Sequence, residues 1–303
     1  MPAGPSRDTG PGPSDLARMQ IIDAGMLAFA AFHALKGKVP HPLTFQVPRM
    51  LRALLAEAPD AYALCWNSAR LRKEEIWPAY RDRPEIWQEA GAADFDAMLR
   101  VLSSLGAVQF RAHGWEADEE IAALVHRLEG TRQIRIRSDD KDFFQLLSGS
   151  TRMIGRRRGL VRWSDVKAIM GVTPAFAADF QALTGDPVDG IPRILPPAAS
   201  KKLLATRGHV RDWIDRDLRV EAGIRWRLNE SREQLRLNLA LVDLSAEAVG
   251  PVPAPLLAGW GDSHVAREIG ERLQITYLQS PELADDFAIL RERGEATRRL
   301  LGI

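Results

Sequence analysis

Between residues 19 and 147, short apolar or alternating runs recur, each separated from the next by a stretch of helical length. Met19-Gln-Ile-Ile-Asp23 is the first run, and it closes on an acid. Ala61 to Trp66 is a second, Val108 to Arg111 a third, and Arg132 to Arg137 alternates in the manner of a strand. Ala24 to Leu35 and Ala93 to Leu105 are helical in composition. From Glu116 to Leu128, the residues Ala117, Ile121, Leu124, Val125 and Leu128 hold one helical face. Asp140 to Leu147 reads as a further short helix. Strands alternating with helices predict βαβ units around a parallel sheet, an α/β fold.

From about residue 164 the strand signals fade. Ser164 is a good N-cap for a helix over Asp165 to Met170, with Gly171 as its stop. Pro174 opens a helix that ends near Gly185. Further helices are predicted over Ala198 to Thr206, His209 to Asp215, Glu230 to Leu244 and Val265 to Leu273, with Pro251 to Pro255 as a connection. The expected organisation is a disordered tail over 1–18, an α/β domain over 19–170 and a helical region over 171–303. The tail is rich in Pro, Gly and Ser and lacks the apolar run of a secretory signal. No stretch approaches the length of a membrane span.

Composition narrows the function classes. The 303 residues carry 41 Lys+Arg against 40 Asp+Glu, a net charge of +1. That balance argues against a uniformly basic nucleic-acid binder but says nothing about where charges sit. A single cysteine, Cys65, excludes a disulfide framework and Cys-rich zinc sites, and fits a reducing cytoplasm. The six histidines show no metal-ligand spacing. Seven lysines leave 34 arginines, which suit phosphate recognition or simply reflect GC-rich codon usage. There is no P-loop, no Gly-x-Gly-x-x-Gly after a strand and no Gly-x-Ser-x-Gly elbow.

The acids are more telling. Asp23 closes the first strand. Glu116, Asp118, Glu119 and Glu120 crowd the first turn of a helix that follows a strand. Asp139, Asp140 and Asp142 directly follow another strand, and Asp186 and Asp189 lie in Thr-Gly-Asp-Pro-Val-Asp-Gly-Ile-Pro. In an open parallel sheet ligands bind beyond the carboxyl ends of the strands, so three of these groups converge on one edge. Converging carboxylates repel unless a cation neutralises them, and hard oxygen donors select Mg²⁺ or Mn²⁺. Two such ions can clamp the attacking and leaving oxygens of a phosphodiester. Taken singly, each group has a simpler reading: first-turn acids answer the helix dipole, Asp140 caps a helix, and Asp186 to Gly190 is turn chemistry.

Four segments together resemble the 5′-nuclease family, the flap endonucleases and 5′→3′ exonucleases of bacteria and phages. They are Ile22-Asp23, Gly114-Trp-Glu116-Ala-Asp118-Glu119, Ser138-Asp-Asp140-Lys-Asp142-Phe-Phe-Gln-Leu146 and Leu183-Thr-Gly-Asp186-Pro-Val-Asp189-Gly-Ile-Pro192. The resemblance runs from about residue 19 to 205, and Glu230 to Leu244 resembles the helix that follows. It implies a PIN-like parallel sheet flanked by helices, then a DNA-binding region of helix-hairpin-helix type. It implies two divalent ions, Mg²⁺ or Mn²⁺, one served by Asp23, Glu116, Asp118 and Asp140, the other by Glu119, Asp142, Asp186 and Asp189. Asp23, Glu116, Asp118, Asp140 and Asp142 would then be catalytic. Arg70 to Arg83 resembles the family's Pro-x-Tyr-Lys-x-x-Arg segment beside a mobile arch. Arg81 falls at the lysine that contacts the scissile phosphate, and Arg70, Lys73, Tyr80 and Arg83 join it as candidate DNA contacts. Tyr80 stacks on a base or is a buried aromatic.

Three departures stand out. Where the family ends its second strand in Asp, this chain has Cys65-Trp66-Asn67-Ser68, so Asn67 offers a neutral oxygen. Glu119 replaces an Asp. The family's Gly-Ile-Gly-Pro-Lys hairpin is replaced by Arg193-Ile-Leu-Pro196-Pro197, whose prolines lack the N–H groups that grip phosphate, which also tells against the potassium ion the family holds there. Lys201 and Lys202 either take over phosphate contacts or are solvated. The leading expectation is a monomeric nuclease acting on DNA with 5′ ends, flaps or forks. The alternatives are a DNA-structure-binding protein with weak or lost catalysis, and an RNase acting on RNA or RNA–DNA primers.

Overall fold

The computed structural model describes residues 18–56, 59–69, 71–78, 80, 88, 90–216 and 219–303. The expected tail over 1–18 therefore lies, all but its last residue, outside the described residues, as do Arg70, Arg81 and Arg83.

A six-stranded sheet organises the first half. Its strands are β1 (Arg18–Asp23), β2 (Ala61–Cys65), β3 (Gln109–Phe110), β4 (Gln133–Arg137), β5 (Thr151–Gly155) and β6 (Gly159–Val161). Their spatial order is β3-β2-β1-β4-β5-β6. All neighbours are parallel except β5 and β6, which form an antiparallel hairpin. β1 is central, and its side chains alternate: Met19 and Ile21 enter the core on one face, Ile22 the core on the other. β2 does the same, with Ala61, Ala63 and Cys65 on one side and Tyr62 and Leu64 on the other.

Helices cover both faces. On one lie α1 (Ala24–Leu35), α2 (Pro42–Leu55) and, after the short α3 (Arg72–Ile76), α4 (Ala92–Ser104). α2 begins with Pro42 and has no capping side chain of its own. Instead the buried Asp94 of α4 accepts from the Leu43 and Thr44 amides at 2.9 and 3.1 Å and from the Thr44 hydroxyl at 2.6 Å. On the other face lie α5 (Ala117–Leu128), the 3₁₀ turn Lys141–Leu146 and α6 (Trp163–Met170).

Beyond α6, α7 (Ala177–Thr184) and α8 (Pro197–Arg207) form a helix–turn–helix whose core also takes in Leu71 and Tyr80 from the segment after β2. The last helices, Ser263–Leu273 and Ala288–Leu301, return to the first half. The Tyr62 hydroxyl of β2 donates to the Leu290 carbonyl at 3.1 Å, and Thr297 Oγ1 bonds both the amide and carbonyl of Tyr62. Residues 171–303 thus contribute to more than one core.

Several boundaries differ from expectation. Ser164 is not the N-cap of α6: Arg162 is, and Asp165 Oδ2 accepts its amide at 2.8 Å. The helix expected over Glu230 to Leu244 runs over Arg232–Val242, and a separate helix, Ala222–Glu230, precedes it across Ser231. The β5–β6 hairpin was not anticipated.

Candidate metal centre

The parallel order brings the carboxyl ends of β1, β2, β3 and β4 to one edge. Asp23 sits there at the end of β1, in register with Cys65 of β2, while Ile22 pairs with Arg137 at the end of β4. Ser138 follows β4, and its hydroxyl donates to Asp23 Oδ2 at 2.9 Å and accepts the Asp140 amide at 3.1 Å. One buried serine therefore links the β1 acid to the loop that carries Asp140. Asp140 Oδ1 accepts the Asp142 amide at 3.0 Å and so caps the 3₁₀ turn.

Asp142 lies among like charges. Desolvation, then the nearby Asp140 and Asp118 carboxylates, raise its pKa well above the ordinary carboxylate range, and Asp189 adds to this. A hydrogen bond from the Gln181 amide of α7 opposes the shift. Acids from α5, the 140–142 loop and the 186–189 turn therefore share one electrostatic environment.

The 186–189 turn is held shut by reciprocal backbone bonds between Asp186 and Ile191, at 3.0 and 2.8 Å. Gly185 precedes it with φ +69°, and a Cβ there would lie 2.5 Å from the Ile191 carbonyl oxygen. Only glycine fits both constraints. Asn238, fully buried on the helix Arg232–Val242, pins this turn by donating to the Ala182 and Pro192 carbonyls, each at 2.8 Å.

The other half of the cluster opens α5. Glu116 and Glu119 form a capping box, with Glu119 Oε2 accepting the Glu116 amide at 2.9 Å. Glu116, Asp118 and Glu119 offer carboxylate oxygens within 4.8 Å of one another. Cations from α3 reach into this group. Lys73 Nζ lies 2.5 Å from Glu116 Oε2 and 3.5 Å from Asp118 Oδ2, and Arg72 holds Glu119 Oε1 at 2.5 Å. Burial disfavours the Lys73 charge, but Asp118 and Glu116 outweigh it and hold its pKa well above the ordinary lysine value. The Tyr80 hydroxyl donates to Glu116 Oε2 at 2.9 Å.

Several expected site residues are placed differently from the sequence reading. Lys73, expected to contact DNA, is 3% exposed and faces the acids rather than solvent, and Tyr80, 4% exposed, takes the buried of its two expected places. The oxygen that Asn67 was expected to offer a metal accepts the Ala117 amide at 2.9 Å and so caps α5. Glu119 is engaged by Arg72 and by its own helix start. Asp186 is engaged by Lys141 Nζ at 2.7 Å. Lys201 and Lys202 are exposed on α8, after two prolines that offer no amide donor.

Sequence reading missed the ordering roles of Ser138, Gln181, Asn238 and Arg72. It counts Glu120 among the first-turn acids but gives it no role of its own. That side chain is fully buried and accepts the Ala112 amide at 2.6 Å and the Trp66 amide at 3.3 Å, tying β2 to the loop after β3. Burial raises its pKa to about 8 despite both bonds.

The donors gathered here are carboxylate oxygens, the chemistry that binds hard divalent cations. A half-buried carboxyl held among other carboxylates, as Asp142 is, fits such an ion.

The model for the family described as "5′-3′ exonuclease, N-terminal resolvase-like domain" matches residues 18–171, about half of the chain. The chain belongs to this family. Among curated relatives, the thermostable DNA polymerase I of Thermus filiformis is 29% identical over 240 residues, covering 76% of this chain but 29% of that protein. The exonuclease-family chain thus spans less than a third of that relative's length. Among solved structures, a bacteriophage T5 flap endonuclease complex with DNA and metal ions superposes with a TM-score of 0.64 at 18% identity. It covers 91% of this chain and 99% of the phage chain. Human GEN1 bound to Holliday junction DNA gives 0.53 at 13% identity, covering 96% and 76%. These two similarities establish the shared fold. No described helix is long and apolar enough to cross a membrane.

Proposed function

We propose that this member of the 5′-3′ exonuclease family is a structure-specific 5′-nuclease that hydrolyses DNA phosphodiesters with two divalent ions, Mg²⁺ or Mn²⁺. The observation that carries the reading is the convergence of Asp23, Glu116, Asp118, Asp140, Asp142 and Asp189 at one sheet edge, with Asp142 set among like charges. Asp23, Asp118, Asp140 and Asp142 are the residues best placed to hold the ions, with Glu116, Glu119, Asp186 and Asp189 around them. When bound, such ions neutralise the scissile phosphate and activate water. The chain's own contribution is orientation. Ser138 fixes Asp23 relative to the Asp140 loop, Gln181 fixes Asp142 from α7, and Lys73 and Arg72 hold the α5 acids in place. Residues 19–170 form the catalytic part in this reading, and the α7–α8 region, with Lys201 and Lys202, a DNA-contacting part. The substrates proposed are 5′ ends, flaps and forks, which suit the T5 and GEN1 similarities.

The test is a flap-cleavage series with Mg²⁺, Mn²⁺ and EDTA, with Asp142→Ala as the control. Cleavage is expected with either ion, none in EDTA, and none in the variant. Absence of cleavage with both ions overturns the reading.

One observation favours a second reading, a DNA-structure-binding protein with weak catalysis. Asn67, which replaces a family carboxylate, is committed to the start of α5. Under this reading forked DNA is bound without turnover, and Asn67→Asp raises the cleavage rate. An RNA–DNA primer placed beside the DNA flap tests the RNase alternative.

A further inference from the structure

The end of the sheet away from the acids carries a feature that the metal centre does not use. Arg18 and Met19 open β1, Ala61 opens β2, and Arg132 directly precedes β4. Register sets Met19 beside Ala61 and Arg18 beside Gln133. The last helix, Ala288–Leu301, is held against β2 by the bonds of Thr297 to Tyr62, and its Ala296, Arg299 and Leu300 reach the same end. Between them lies an open recess of about 270 Å³. Along β1, about 13 Å of strand separates Met19 from Asp23.

The floor of the recess is apolar. It is made by the buried Met19 and Ala61 with the half-buried Ala296 and Leu300. Its rim is cationic: Arg18, Arg132 and Arg299 line it against a single acid, Asp60. Asp60 is already engaged, since its Oδ2 accepts the Arg18 amide at 2.7 Å and lies 3.6 Å from Arg18 Nε. The Arg18 amide, and then the Arg18 and Arg293 guanidinium groups, hold the Asp60 carboxyl below its ordinary value. Arg293 therefore adds a fourth positive charge. Among the described residues, Arg132 bonds only the Thr131 carbonyl, Arg299 has no hydrogen bond or ion pair, and the buried Arg293 Nε has no hydrogen-bond partner.

Four cations around one engaged acid call for an anionic occupant, and the floor calls for an apolar side chain on it. Two observations separate that occupant from nucleic acid. A phosphate backbone is gripped by cations set along its track, whereas these converge on one recess. An apolar floor inside a rim of arginines is the plan of a protein interface, where the desolvated centre binds and the charged rim orients. The chain's own residues 1–17 are a poorer match, with two acids, Asp8 and Asp15, and one arginine, Arg7.

We propose that this recess is a docking site for an acidic segment of a partner protein, one that carries an apolar side chain between flanking Asp or Glu residues. The apolar side chain enters over Met19 and Leu300, and the carboxylates pair with Arg132 and Arg299. The site does not rest on the nuclease reading, and it leaves the opposite end of the sheet open.

The test is selection of a random dodecapeptide library, displayed on phage, against the full chain. Enriched peptides are then measured by anisotropy. They are expected to carry acids on both sides of an apolar residue, and to lose binding when Asn and Gln replace those acids. Arg132→Gln/Arg299→Gln should raise Kd about tenfold at low salt, each exposed pair being worth up to about fivefold. That difference should shrink as KCl rises from roughly 50 to 500 mM. Ala296→Leu, which fills the floor and keeps every charge, should raise Kd at every salt concentration. Thermal unfolding checks that each variant folds, and if Ala296→Leu does not, the arginine variant decides. A library that yields no peptide able to distinguish wild type from the arginine variant overturns the proposal. A single-stranded oligonucleotide that displaces the peptide assigns the recess to nucleic acid instead. Peptide binding that tightens about tenfold when residues 1–17 are removed assigns it to the chain's own tail. A dimer in light scattering that the arginine variant abolishes assigns it to a second copy. Each of these three outcomes also overturns the partner.

Discussion

Glu116, Asp118 and Glu119 meet cations that the chain itself supplies, whereas Asp142 meets mainly other carboxylates. On the α5 side, Lys73 and Arg72 neutralise the acids and the capping box gives them a second, structural use. On the β4 side, the neutral Gln181 amide bonds Asp142 against the repulsion of Asp140, Asp118 and Asp189, and the one cation felt there among the described residues, Lys141, is paired with Asp186. The first arrangement is complete in the folded chain. The second stores repulsion that an added cation relieves. The contrast locates where an ion contributes most, which the number of acids does not.

Removing the built-in cation gives the largest effect. Lys73→Met leaves Glu116 and Asp118 uncompensated in a buried site, and is expected to cost about 3–5 kcal/mol of stability in EDTA. Mn²⁺ should recover much of this by replacing the lost charge. Denaturant unfolding with and without the ion measures both. Stability unchanged in EDTA would erase the distinction between the halves.

Asp142→Asn acts in the opposite direction. It removes a group whose ionisation the site opposes and keeps an oxygen to accept from Gln181, so the metal-free protein should gain stability relative to wild type as pH rises. The sign follows from the raised pKa. The native state holds a proton that the unfolded chain releases from about its ordinary value of 3.8 upward, so wild-type stability falls as pH rises above that value. The variant should lose that part of the slope.

Glu120 sharpens the comparison with a smaller effect. Its native pKa of about 8, against an ordinary 4.5, makes stability fall between those two pH values and level off above 8. Glu120→Gln should flatten this window in EDTA. Because Glu120 bonds backbone amides rather than facing the cluster, its contribution should persist when Mn²⁺ is added, while that of Asp142 should not.

Much of this was legible in the sequence, for identifiable reasons. β1 and α1 are short-range patterns, and the run Ala24–Leu35 matches its helix end to end. The acids at strand ends were readable because a parallel sheet sends those ends to one edge. What was hidden depends on partners distant in sequence. α2 contains Pro48 and is capped by Asp94, about fifty residues away, so Pro42 is its one local start signal and no capping side chain accompanies it. β5 alternates only weakly, with Thr151, Met153 and Gly155 buried. Lys73 carried no mark of burial, since a lysine in a basic stretch reads as solvated until the fold sets Glu116 against it. At Asn67 a metal role is all the sequence offers, because the α5 amide that takes its oxygen lies fifty residues on.

The most direct test is thermal unfolding of wild type and Asp142→Asn, each titrated with Mn²⁺ without DNA. An ion that binds only the native state raises the melting temperature with concentration. The account predicts a clear Mn²⁺-dependent rise for wild type that is largely lost in Asp142→Asn. An equal rise in both proteins, or none in wild type, would contradict it.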